Sequence, residues 1–216
     1  MGVLLNPFVL ATGDGPPPTP DVNVWTLDFI NEVYTKNGSP VVLADIIDKP
    51  ARVGASGLEI LDNDVAGGVF AAGDFLTDLI TMSWTNVIEW EELAGVDYTE
   101  LLYIWESGNH HHFGIDNTGA GTIDTYDTGS TIREIFDTGA YLAGVHKVAV
   151  TRTDSLLSVS TDGNAVVTDA SVQSLDLQEI ATFGGPNDGS SYKGFFIRSI
   201  ALMPPVADAA LPGLSA

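Results

Sequence analysis

The sequence predicts an all-β protein built as two antiparallel sheets packed face to face, and three observations predict it. The run VHKVAVTRTDSLLSVSTDGN at residues 145–164 reads as strand, short turn, strand, tight turn. Val148 and Val150 share one side of its first strand, Leu157 and Val159 supply apolar positions in its second, and Asp162-Gly163 closes a turn that needs a positive backbone angle. Strand candidates recur at roughly 8–12-residue intervals, the spacing of a sandwich. Finally, 23 Gly and 11 Pro in 216 residues disfavour long helices.

Taken in order, residues 1–20 form an extended N-terminal arm. Leu4, Leu5, Phe8, Val9 and Leu10 make an apolar tip, followed by Gly13-Asp14-Gly15 and the run Pro16-Pro17-Pro18, which stiffens into a spacer. Such a tip suits either a strand added to the domain's own sheet or a peg inserted into a partner. The sandwich domain is placed at 21–216. It opens with a strand at Val22, Val24 and Trp25, continues through Leu27-Asp28-Phe29 and Tyr34, and turns at Asn37-Gly38. Residues 41–47 fit a single helical turn or a short strand, because so short an apolar run has no decisive period. Further strands are expected at 55–60, 80–90, 101–106, 111–116, 122–126, 132–136, 145–152, 156–160, 165–168, 179–183 and 194–203, with a short helical turn at 208–214.

Composition excludes several classes. With 8 basic and 29 acidic residues the net charge is −21, which repels nucleic acid and anionic membrane and favours solubility. No run of about 18 apolar residues exists to span a membrane as a helix. The N-terminus lacks a basic start, and Asn6-Pro7 interrupts its apolar stretch, so no secretory signal is expected. There is no cysteine, which removes disulfides, zinc thiolates and thiol nucleophiles. No phosphate-binding glycine loop and no Gly-x-Ser-x-Gly elbow is present.

The 145–164 run, the Phe183-Gly184-Gly185 step and the last strand GFFIRSIALM resemble the laminin-G-like, concanavalin-A-like jelly-roll domains. That resemblance implies a final strand returning beside an early one to close the sandwich. The opening, with Asn6-Pro7-Phe8, Leu27-Asp28-Phe29 and Asn37-Gly38, resembles structural proteins of tailed bacteriophages that carry one such domain. The resemblance implies a non-enzymatic virion protein, a surface decoration or appendage domain. The arm, through Leu4, Leu5, Phe8, Val9 and Leu10, would anchor it to a capsid or tail protein, and a homo-oligomer such as a trimer would be expected. The alternative is a glycan-binding, receptor-binding module of a tail fibre or tail tip.

The residues that can carry chemistry are few. Glu89, Glu91 and Glu92 surround Trp90; paired carboxylates suit glycoside hydrolysis, yet the cluster departs from the Glu-x-Asp-x-x-Glu pattern of jelly-roll glycosidases and reads as a solvated rim. No catalytic residue is therefore assigned, and no enzyme is expected. Trp90, among charged neighbours, is the candidate platform for stacking a sugar, whereas Trp84 and Trp105 are expected in the core. Asp62 and Asp64, with Asn187-Asp188-Gly189 behind them, are the candidate calcium ligands, and no other cofactor is expected. His110-His111-His112 can place at most two imidazoles on one strand face, with Asp116 or Glu106 to complete a metal site.

Overall fold

The computed structural model describes residues 24–61, 68–80, 83–92, 99–105, 112–117, 122–127, 130–135, 144–153, 155–170, 180–184 and 194–216. The strands β1 (Trp25–Asp28), β2 (Val33–Lys36), β3 (Ser39–Pro40), β4 (Val53–Gly54), β5 (Gly57–Ile60) and β6 (Val69–Phe70) precede a helix, α1 (Gly73–Leu79). Then come β7 (Trp84–Glu92), β8 (Thr99–Trp105), β9 (His112–Asn117), β10 (Thr122–Asp127), β11 (Ser130–Ile135) and β12 (Gly144–Arg152). β13 (Leu157–Thr161), β14 (Val167–Asp169), β15 (Ile180–Phe183), β16 (Phe195–Met203) and the short helix α2 (Leu211–Ser215) complete the described elements.

These strands form two antiparallel sheets, as the sequence predicts. One runs β14-β13-β12-β7-β16-β1-β2-β3, with β5 also on β16 and β4 on β5; the other runs β11-β10-β9-β8-β15-β6. The last strand lies beside the first: Trp25 faces Leu202 and Leu27 faces Ile200. On its other side β16 pairs with β7, and a register shift between Ile197 and Ser199 bulges Arg198 out of the ladder.

Alternation sets the layers. On β7, Trp84, Ile88 and Trp90 are buried in the main core between the sheets, while Val87 faces the opposite way. From the six-stranded sheet Val69, Leu102, Ile104, Ile115, Ala181 and Phe183 meet them. Phe75 of α1 links the layers: its ring stands edge-on to Trp25 at 5.2 Å and stacks on Phe183 at 6.3 Å. Val87 belongs to a second apolar cluster with Ala149 and Leu211, so the C-terminal segment seals the outer face of the ten-stranded sheet. Ser215 ties it down, its hydroxyl lying 2.9 Å from the Ser160 hydroxyl and accepting from the Gly163 N–H.

The turn chemistry agrees with the sequence. Asn37 (φ 51°) and Gly38 (φ 77°) both take the positive angles of a tight hairpin, as do Asp162 (φ 49°) and Gly163 (φ 74°). Asp28 organises the β1–β2 turn by accepting from the N–H groups of Ile30 and Asn31 and from the Asn31 side chain. The ambiguous 41–47 stretch holds one 3-10 turn, Leu43–Asp45. One element departs from expectation. The strand predicted from residue 80 begins at Trp84, and α1 precedes it. The helical signal is present, since Phe75, Asp78 and Leu79 are buried at i, i+3 and i+4, but seven residues leave little room for it to dominate a reading weighted toward strands.

Candidate functional site

The outward face of the six-stranded sheet offers the clearest contact surface among the described residues. Register aligns one row across it: Phe70 opposite Thr182, Thr182 opposite Tyr103, Tyr103 opposite Gly114, and Gly114 opposite Tyr126. The neighbouring positions Val69, Phe183, Ile104 and Ala181 are buried in the core, so Phe70, Thr182 and Tyr103 lie on the opposite face of the sheet. Phe70 and Tyr103 are half-buried, whereas Thr182 between them is fully buried. Its hydroxyl has no hydrogen-bond partner among the described residues. At the β6 end the Lys49 ammonium lies 5.8 Å from the Phe70 ring centroid and donates to the Gly68 carbonyl. The backbone of Asp48 runs alongside, giving its N–H to the Phe70 carbonyl, while its side chain accepts from the Phe70 N–H. This loop thereby covers the edge of the sheet. Two aromatic rings and a cation at one end form a row suited to a polar ligand with an apolar face.

The candidates named from sequence lie elsewhere. Trp90 is fully buried: its indole N–H donates to the Glu92 carboxylate at 3.0 Å and its ring contacts His146 at 5.4 Å. Its ring therefore presents no face to a sugar in solvent, which corrects the expectation of a stacking platform. The reason is strand parity, which puts Trp90 on the same side as Trp84 and Ile88 whatever the charge of its sequence neighbours. Trp84 is in the core as expected, donating to the Leu79 carbonyl. The acidic cluster is split between faces: Glu92 is buried beside Trp90, while Glu89 and Glu91 share the outer face. There Arg198 holds both, at 3.1 Å from Glu89 and 2.9 Å from Glu91, with Lys147 3.6 Å from Glu89. The bulge in β16 is what aims Arg198 at them, and it leaves this pair ion-paired. Asp62, Asp64, the arm residues Leu4, Leu5, Phe8, Val9 and Leu10, His110, His111 and the Asn187-Asp188-Gly189 loop lie outside the described residues. No cluster of three metal-ligating side chains occurs among the described residues.

A second feature was not foreseen. A cleft of about 470 Å³ opens between β3, the Leu43–Asp45 turn and the start of α1. On its wall the Lys36 ammonium sits 4.9 Å over the Trp25 ring, 2.9 Å from Asp74 and 3.7 Å from Asp78. The hydrogen bond to Asp74 raises the Lys36 pKa above its ordinary value, against the opposing effect of burial, and the charge of Asp78 adds to the rise. Asp78 also accepts from the Trp25 indole N–H at 2.7 Å.

With that geometry in hand, comparison with solved structures is informative. The chain shares its fold with carbohydrate-binding modules of sialidases. The CBM40 of the Ruminococcus gnavus IT-sialidase, bound to α2,3-sialyllactose, matches with a TM-score of 0.58 at 16% identity, over 74% of this chain and 97% of that chain. The Trypanosoma rangeli sialidase matches with a TM-score of 0.58 at 17% identity, over 87% of this chain but 31% of that chain. The leech intramolecular trans-sialidase matches at 0.53 and 14% identity, over 73% of this chain and 27% of that chain. No family model and no curated protein sequence matches. These likenesses bear out the two-sheet jelly-roll fold. They also correct an expectation: the sequence predicts no enzyme, yet chains sharing the fold include sialidases, and that prediction is withdrawn. None of these structures links the chain to a phage particle.

Proposed function

We propose that this chain is a glycan-binding module. The observation that carries the reading is the match over 97% of a module whose solved structure holds sialyllactose. The outward row of the six-stranded sheet supports it. Sugars stack their C–H faces on aromatic rings and direct hydroxyls at polar groups, and small-ligand sites combine an apolar surface with a few placed polar atoms. Tyr103 and Phe70 supply the rings, and Lys49 a positive charge for an acidic sugar. In a chain of net charge −21 that cation matters, because the surrounding field disfavours anions.

Titration of the protein with sialyllactose and with lactose, followed by NMR or calorimetry, tests the proposal. Sialyllactose is expected to bind, and Tyr103→Ala to weaken it about tenfold, equivalent to about 1.4 kcal/mol. Loss of binding without loss of the folded melting transition supports the face. Absence of binding to either sugar removes the glycan reading, and binding unchanged by Tyr103→Ala moves the site off this row.

A further inference from the structure

We infer that the cleft between β3 and α1 is a docking site for a basic segment of a partner protein, which lays a Lys or Arg side chain along its apolar wall and sets the charged head between Asp45 and Asp74. The site lies apart from the outward row of the six-stranded sheet and does not depend on the glycan reading. Its volume, about 470 Å³, exceeds that of one side chain, so it takes an aliphatic neighbour as well. Pro40, Val41 and Val42 build the apolar wall, and Val42 is 63% exposed, the most exposed large apolar side chain among the described residues. β3 is a two-residue edge whose Pro40 has no N–H to offer a further strand, so recognition here runs through side chains and not through sheet extension.

Backbone geometry fixes the acidic end. Ala72 donates its N–H to the Ile46 carbonyl at 2.8 Å, which draws the start of α1 against the Leu43–Asp45 turn. Gly73 makes that approach possible: it sits at φ 54°, and a side-chain carbon there would stand 2.6 Å from the Asp45 carbonyl oxygen. Asp45 and Asp74 are thereby held on the same cleft, one from each segment. Both are exposed, and Asp45 belongs to no ion pair among the described residues. With Asp78 behind them, three carboxylates stand against the Lys36 ammonium, an excess of two negative charges. Lys36 itself shows how this end takes a cation, its ammonium 2.9 Å from Asp74 and 4.9 Å over the Trp25 ring. A second cation on an aliphatic stem answers the remaining charge and covers Val42 in one contact. An anion meets net repulsion here, and a purely apolar ligand would strip water from the carboxylates without replacing it. The field of a chain of net charge −21 steers basic partners toward the site.

Titration of the full chain with the peptide acetyl-Leu-Arg-Leu-amide, followed by NMR, tests this, with acetyl-Leu-citrulline-Leu-amide as the neutral isostere. The arginine peptide is expected to shift the Val42 methyl and Asp45 amide resonances saturably. The citrulline peptide is expected to bind about fivefold more weakly, the weight of a partly exposed ion pair. Asp45→Asn is expected to weaken the arginine peptide by the same factor. Glu59→Gln is the control, since Glu59 is an exposed acid on β5 outside the cleft, and it is expected to leave the affinity unchanged. Equal weakening by the two variants would show diffuse attraction to an acidic chain and would overturn the inference. Equal binding of the two peptides would leave an apolar groove without charge recognition and would overturn it too. So would the absence of saturable shifts at Val42 with millimolar arginine peptide.

Discussion

The two sheets treat their outer faces in opposite ways. At the centre of the ten-stranded sheet both faces of β7 are closed: Trp84, Ile88 and Trp90 inward, and Val87 outward beneath Leu211. Even the polar outer positions there are paired, with the Thr85 and Thr151 hydroxyls 2.7 Å apart and the Val206 N–H donating to Thr85. In the six-stranded sheet the inner face is as tightly buried, yet the outward row leaves Phe70 and Tyr103 partly exposed. A sheet closed on both sides can change little without losing stability. A sheet closed on one side can spend its other face on recognition, and this asymmetry is why the proposed contact lies on the smaller sheet.

Substitutions can break this contrast. The largest effect is expected at Trp90→Ala, which empties a fully buried site and removes the donor to buried Glu92; a loss of about 3–5 kcal/mol in urea unfolding is expected. A loss under about 1 kcal/mol would mean that β7 is not sealed as described. Leu211→Ala removes the plug of the outer face, and about 2–3 kcal/mol is expected because it touches a smaller cluster that can settle around the gap. Tyr103→Ala should cost less stability than either, about 1 kcal/mol, while weakening glycan binding. If Tyr103→Ala proved as destabilising as Trp90→Ala, the outward row would be part of the fold and not a free face.

Much of the fold was legible because strand parity and turn residues are local signals. Val148, Val150 and Val159 alternate into the core as read, and Asn37-Gly38 and Asp162-Gly163 adopt the angles their residue types favour. The candidate face was not legible. Phe70, Thr182 and Tyr103 come from three strands far apart in sequence, and only pairing through β15 aligns them. No periodicity links such positions. Trp90 shows the converse: its acidic neighbours suggested exposure, but Glu89 and Glu91 project from the other face and are held by Arg198, which the bulge after Ile197 brings within reach. A bulge shifts register without leaving a composition signature, so that clamp could not be read in advance.

The smallest expected effect sharpens the contrast at the edge of the larger sheet, where β2 is clipped to α1 by charge instead of apolar burial. Lys36 is partly shielded, and its pKa is raised above the ordinary 10.5 chiefly by the hydrogen bond to Asp74. A folded-state pKa above the unfolded value means that the clip contributes fully below pH 10.5 and is lost as pH rises through the folded value. Lys36→Met keeps most of the stem over Trp25 and removes the charge, so wild type should exceed it by about 0.5–1 kcal/mol at pH 9, in the range of partly exposed ion pairs. The gap should close toward pH 12. At the other end of the same hairpin, Asp28 behaves with the opposite sign. Burial alone would raise its pKa, but the hydrogen bonds from Asn31 and Ile30 outweigh it and hold the carboxyl below 3.8. Its contribution is present above that value and is lost as pH falls through the lowered one. Paired melts of wild type and Lys36→Met from pH 9 to 12 read the Lys36 effect alone, since Asp28 stays ionised in both proteins. A gap that stays constant across that range would show that the Lys36 stem, and not its charge, holds the edge.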